Sequence, residues 1–214
     1  MNKAFNALTR QELAIIKRLS TPAKIQDYLN SIPINFEKKG ETCMSPRRVL
    51  RQQQAHCLEG ALFAAAALWY HGKRPLLLDL KASSKDFDHV VALFSAEGRS
   101  ASGGKMKLWG AISKTNHAVL RYREPVYRTI RELALSYFHE YFNDQGVKTL
   151  RSHSGAFDLR AYENTWLIDE DELWDIGGDL DDAPHFAIVS PTAARTLRKA
   201  DPIEIKAGKL TDYQ

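Results

Sequence analysis

The sequence predicts an α+β domain, and three observations carry that expectation. Amphipathic helical patterns fill the N-terminal quarter, an Ala- and Leu-dense segment runs from Cys57 to Tyr70, and three short apolar stretches then follow, separated by polar turn material. Helices first, one buried helix next and antiparallel-looking strands after it argue a sheet packed on that central helix.

Each element has its own signal. Thr9-Arg10-Gln11-Glu12 has the Thr-x-x-Glu capping-box spacing, with Leu13, Ile16 and Leu19 at helical intervals, so a helix is predicted from about Gln11 to Leu19. Thr21-Pro22 restarts the pattern with a cap and an N1 proline, and Ile25, Tyr28, Leu29 and Ile32 give an apolar face up to Pro33. Ile34 to Met44 has no period. Ser45-Pro46 caps a short helix from about Arg47 to Gln54. CLEGALFAAAALWY, stopping at Gly72, reads as a helix buried on most of its circumference. Pro75–Leu80, His89–Phe94 and Leu108–Ser113 read as strands, the last two forming a hairpin around the loop Ser100–Lys105. Pro125 is expected to open a helix carrying Ile130, Leu133, Tyr137 and Tyr141; Trp166–Ile168 and Phe186–Val189 are expected to be strands on either side of a solvated acidic run, Asp169–Asp182. The organisation expected is one domain over residues 1–214, with a core at about 45–142, N-terminal helices at 9–32 and an acidic extension at 161–214.

Composition narrows the function classes. Of 214 residues 44% are hydrophobic, enough for an ordinary core. The longest apolar run, Leu58 to Tyr70, is broken by Glu59 and falls short of the ~20 residues of a bilayer crossing, so no membrane partner is expected. The N-terminus lacks an apolar signal region, and Cys43 and Cys57 read as free thiols, which together predict a cytoplasmic protein. Net charge is +4, yet residues 1–160 hold 25 Lys and Arg against 14 Asp and Glu, while residues 161–214 hold 5 against 12. The acidic segment is expected to fold back on the basic body. The basic charges are scattered and no nucleic-acid module accompanies them, so no nucleic-acid partner is expected. Neither Cys43, His56, Cys57 and His71 nor the acidic run has the spacing of a zinc or calcium site, so no metal and no cofactor is expected. Oligomeric state is not legible.

Chemistry concentrates at two residues. Cys57 opens the buried helix, where unpaired amides and a partial positive charge favour a thiolate. His89 begins an otherwise apolar strand, a position with no packing need for an imidazole. A third polar group should orient that ring, and Ser113 and Asn116 stand where the following strand ends, with Asp86, Asp88 and Asp175 as possible substitutes. Oxyanion donors are expected from the Cys57 amide and one of Gln52, Gln53 or Gln54, and Trp109 is a candidate for lining the cleft. His56 adjoins Cys57 but should point ~100° away around a helix, so it reads as structural or substrate-facing.

Ala55-His56-Cys57-Leu58-Glu59-Gly60-Ala61-Leu62-Phe63-Ala64-Ala65-Ala66, followed by Gly72, resembles the transglutaminase-like superfamily, in which a Cys followed by an acidic residue and Ala opens the central helix. The order of Cys-helix, His-strand and next strand resembles that family too, over about Ser45 to Thr115, in the manner of its bacterial cysteine-peptidase members. The resemblance implies a papain-like α+β core, Cys57 as nucleophile and His89 as general base and acid. It also implies Asp where this chain has Ser113, and Asn serves as orienter in papain-like enzymes, so Ser113 and Asn116 both stay open. The function implied is a cysteine hydrolase or acyltransferase acting on a peptide, isopeptide or small amide through a thioester. Its rivals are a catalytically silent transglutaminase-like binding module, motivated by Ser113, and a basic binder of anionic ligands.

Overall fold

The capping box at Thr9 closes as the spacing predicts: the Thr9 amide donates to Glu12 Oε2 at 2.7 Å and the Glu12 amide to Thr9 Oγ1 at 3.2 Å, opening α1 (Arg10–Arg18). In the computed structural model residues 3–99 and 103–212 are described, so 100–102 of the expected hairpin loop lie outside them. Thr21 and Ser45 cap α2 (Pro22–Ser31) and α3 (Pro46–Gln52), each with proline in the first turn. α4 (Cys57–Tyr70) is buried from Glu59 through Leu68.

Among the described residues seven strands form one antiparallel sheet against that helix: β1 (Leu76–Ala82), β2 (His89–Arg99), β3 (Lys105–Ser113), β4 (Arg123–Tyr127), β5 (Leu150–Ser154), β6 (Phe157–Asp158) and β7 (His185–Ala187). The order is β4-β3-β2-β1-β5-β7, with β6 also on β1. Strand residues alternate between faces. Leu77, Ala92, Phe94 and Ile112 share a core with α4, whereas Leu78, Leu80, Val91, Leu93 and Ala111 pack with Leu133, Ala134 and Tyr137 of α5 (Ile130–Tyr137). The fold is thus mixed α+β, with the Cys57 helix central and an antiparallel sheet against it.

Two contacts hold the functional end of α4 near the sheet. A Cβ on Gly60 would lie 2.4 Å from Lys114 Cβ, so only glycine lets the segment after β3 approach α4 this closely. The buried Lys114 Nζ donates to the Leu29 and Ile32 carbonyls at 2.8 and 2.5 Å, occupying the open end of α2. Burial and the neighbouring Arg121 draw the Lys114 ammonium down to about 8.

Several sequence expectations change. Pro125 lies in β4 rather than opening a helix, because β4 is an edge strand whose outer side needs no amide donor. Thr129 caps α5 instead, and Tyr141 lies beyond that helix. Trp166 sits in a 3₁₀ turn, Asn164–Leu167, stacked on Trp69 with ring centroids 6.1 Å apart; its burial, not strand pairing, explains the apolar run. The acidic stretch is not only a solvated face: α6 (Trp174–Asp182) turns Ile176 and Leu180 into the core. Phe186–Val189 supplies only the short β7, followed by α7 (Pro191–Arg195) and α8 (Pro202–Gly208).

The acidic segment does lie on the basic body. Glu172 Oε2 accepts the Cys43 amide at 2.5 Å, Glu172 pairs with Arg48 at 2.8 Å, Glu170 with Arg51 at 2.7 Å, and the Asp169 carbonyl accepts Ser45 Oγ at 2.6 Å. Among the described residues no helix is long and apolar enough to cross a membrane.

Candidate active site

The site grows from the start of α4, the start of β2 and the end of β3. Val91 faces Ser113 across the β2–β3 ladder, so the side chains of His89 and Ser113 share the sheet face that carries Val91. His89 Nε2 stands 2.8 Å from Ser113 Oγ, and Ser113 Oγ donates to the Leu120 carbonyl at 2.6 Å. With its single proton committed to Leu120, the hydroxyl accepts from His89, which puts the ring hydrogen on Nε2 and leaves Nδ1 for another partner.

The neighbouring Cys57 thiol, which interacts with the side chains of both His89 and His56, is the group that nitrogen can serve. Burial pushes the thiol up, but the hydrogen bonds and charges of the two imidazoles outweigh it and pull the group down to about 5. Cys57 is half-buried. Cys43 is the opposite case: burial, with the carboxylates of Glu59 and Glu172 nearby, pushes its thiol up to about 12.

Ser113 is fixed from outside the sheet by a residue that sequence reasoning missed. Gln26 Nε2 donates to the Ser113 carbonyl at 2.8 Å and the Ser113 amide donates to Gln26 Oε1 at 2.9 Å, both buried. A primary amide thereby completes the strand end as a neighbouring strand would. The one signal in the sequence is a glutamine beside Ile25 on the inward face of α2. Leu120 was also missed. Its φ of 59° lies in the left-handed region, which an ordinary side chain rarely adopts, and Glu140 Oε2 accepts its amide at 2.9 Å, so the carbonyl that receives Ser113 is held by a strained, anchored turn.

His56 does not point away as expected. It is the N-cap, with φ −89° and ψ −173°, so the 100° step of a helix does not govern its side chain. Its Nε2 is 2.8 Å from the Thr42 carbonyl, and the Leu58 amide meets Nδ1 at 3.3 Å. Glu59, fully buried, accepts the His56 amide at 2.9 Å, the Met44 amide at 3.1 Å, Thr42 Oγ1 at 2.7 Å and Asn35 Nδ2 at 3.2 Å. His56-Cys57-Leu58-Glu59 has the same N-cap to N3 spacing as Thr9 to Glu12, so the signal was present, carried by an unusual cap residue.

Five other nominations make contacts of their own. Asn116 follows the turn after β3, where its carbonyl accepts the Asp212 amide at 2.8 Å, and it lines a separate cavity with Asp27, Lys114 and Arg121. None of its described bonds reaches His89. At the end of α3 Gln52 is exposed, Gln53 Nε2 donates to Tyr28 Oη at 2.9 Å, and Gln54 Nε2 meets Gln52 Oε1 at 3.5 Å. Trp109 is four residues up β3 from Ser113, about 13 Å along the strand, under the ammonium of Lys107.

The substitute carboxylates are occupied too. Asp86 accepts Thr149 Oγ1 at 2.6 Å, Asp88 accepts the Ala82 amide at 2.6 Å, and Asp175 is exposed on α6. Asp79, Asp88 and Asp181 each bring one carboxylate oxygen within 4.8 Å of the others, the arrangement among the described residues that offers a cation the most ligands. Asp79 is otherwise paired with His185 at 2.9 Å.

A cavity of about 700 Å³ opens on His89, lined by Asp86, Phe87, Leu120, Tyr141 and Asn143. Tyr141 Oη donates to the Leu80 and Phe87 carbonyls at 3.2 and 2.6 Å and so pins the loop before His89. Compared with known proteins, the chain matches no family model, and no curated protein matches it either.

Proposed function

We propose that this protein is a cysteine hydrolase or acyltransferase of the transglutaminase-like type, with a papain-like core, that acts on an amide or related acyl bond through a thioester on Cys57. The observation that carries the reading is the continuous relay from the Leu120 carbonyl through Ser113 Oγ to His89, whose side chain also interacts with the Cys57 thiol. In the acylation step the thiolate attacks the substrate carbonyl carbon, and the Cys57 amide, at a helix start where no intrahelical acceptor exists, donates to the developing oxyanion. The carbon–nitrogen bond breaks as His89 gives its proton to the departing amine. Water, or a second amine, then attacks the thioester while His89 takes a proton from that nucleophile, and the sulfur leaves as thiolate. Ser113 keeps the ring oriented in both directions without carrying charge.

A peptide, an isopeptide or a small amide fits this chemistry. Two free thiols suit a reducing compartment, and we place the protein in the cytoplasm. The test is intact-mass detection of an acyl adduct. The wild-type chain treated with an activated acyl ester should gain the acyl mass on Cys57, release it with time, and turn over fluorogenic peptide amides, whereas Cys57→Ser should do none of these. A folded wild-type protein whose Cys57 alkylates readily but forms no adduct and turns nothing over would favour the silent binding module.

A further inference from the structure

We infer that His56 is a second catalytic imidazole of this site, held by Glu59 and Thr42 against the Cys57 sulfur so that it carries the positive charge of the resting ion pair. The inference rests on the proposed thiol chemistry for its purpose, though not for its test.

The geometry is specific. Glu59 has no solvent exposure, and its oxygens collect four donors, from Asn35, Thr42, Met44 and the His56 amide, while one stands 3.4 Å from His56 Nε2. The Glu59 carboxyl has no route to water and is held fixed beside His56 Nε2, so a positive charge on that ring would lie directly against it. The Thr42 carbonyl fixes the hydrogen on Nε2 at 2.8 Å. Neutral His56 would use Nδ1 to accept the Leu58 amide, the longest contact of the group at 3.3 Å. When the Cys57 proton moves from Sγ to Nδ1, that nitrogen becomes a donor to the thiolate and both charges gain a partner, while the Leu58 amide gives up its acceptor on the ring. The other groups facing His56 act the same way: Glu37 Oε1 is 3.8 Å from Nε2, and the Glu172 carboxylate, itself paired with Arg48, is stabilised in part by His56. Burial works against the charge, but Cys57 and Glu59 raise the group to about 9 overall.

The consequence is a division of labour. In a two-residue dyad the same imidazole must hold the thiolate and move the proton. Here His56 holds the Cys57 proton at rest and keeps the sulfur ionised; when substrate binds, that proton passes by way of the sulfur to His89 Nδ1, and His89, oriented by Ser113, carries it to the departing amine. Glu59 is the positioning residue that acts through His56.

The test reads Cys57 alkylation by iodoacetamide from pH 4 to 10, with peptide mapping to separate it from Cys43. His89→Ala should leave Cys57 ionised well below the ~8.5 of a free thiol. His56→Gln should move the midpoint up by a pH unit or more, and Glu59→Gln should move it in the same direction. A His56→Gln profile that overlays wild type, or a His89→Ala profile already at ~8.5, would overturn the inference. Because His56→Gln also removes the cap, ¹⁵N-histidine spectra of the unaltered protein supply a second reading: His56 should be doubly protonated at pH 7.5, and a neutral Nε2–H tautomer there would overturn it. Neither measurement uses a substrate, so absence of acyl turnover would strike the proposed function and leave this result standing.

Discussion

Ser113 Oγ both accepts from His89 Nε2 at 2.8 Å and donates to the Leu120 carbonyl at 2.6 Å, which makes one neutral hydroxyl responsible for the tautomer of the imidazole. A carboxylate in this place could accept from the ring, but it would face the Leu120 carbonyl with no hydrogen between two oxygens. The serine is therefore matched to its surroundings rather than a weakened aspartate.

That relationship gives the first prediction. Ser113→Ala should lower kcat on any acyl substrate by about tenfold to a hundredfold, equivalent to ~1.4–2.8 kcal/mol, while Cys57 remains readily alkylated. Ser113→Asp should also fall below wild type. A Ser113→Asp variant more active than wild type would show that the Leu120 contact has no bearing on the site.

The second prediction concerns pH. Because the Cys57 thiol sits near 5, its alkylation rate should be flat above pH ~6.5 and fall about tenfold per unit below 5, whereas Cys43, held near 12 by burial and two carboxylates, should be inert across the range. Stability follows with the sign of each shift. The lowered thiol contributes stability above the free value of ~8.5 that is lost as pH falls through about 5, and the raised His56 contributes stability below ~6.5 that is lost as pH rises through about 9. The thiolate–imidazolium pair is thus intact between about 5 and 9. Urea melts of wild type and Cys57→Ala across pH 4–10 should differ most in shape at the two edges of that window.

A third prediction tests the support of Ser113. Gln26→Leu removes both bonds to the Ser113 backbone and leaves a buried amide and carbonyl unpaired, at a cost of about 2–4 kcal/mol in unfolding free energy. Gln26→Glu retains an acceptor for the Ser113 amide but sets an oxygen against the Ser113 carbonyl, so it should be intermediate at low pH, where protonation restores a donor, and worse at pH 8. Denaturant titration at the two pH values checks this.

The fourth prediction is steric. Gly60→Ala places a methyl 2.4 Å from Lys114 Cβ, and neither α4 nor the segment after β3 has room to retreat, so stability should fall by about 1–3 kcal/mol with a loss of turnover larger than the loss of fold at 25 °C. Gly178→Ala, whose added carbon meets nothing within 4 Å, is the control and should change little.

What the sequence by itself determined was local: the caps at Thr9, Thr21 and Ser45, the buried helix that begins at Cys57, the strands that start at His89 and end at Ser113, and the α+β order that brings them together. Those features depend on spacing along the chain, and spacing is written in the residues. Tertiary structure decided the rest. The choice of Ser113 over Asn116 depended on register and on a buried Lys114 that turns the chain away, the Gln26 clamp depended on α2 docking at a strand end 87 residues distant, and the place of Pro125 depended on β4 being an edge. His56 shows the division within a single residue. Its spacing to Glu59 was readable, but its contact with the thiol required knowing that it stands outside the helix, where backbone dihedrals and long-range partners, not helical periodicity, set the direction of a side chain.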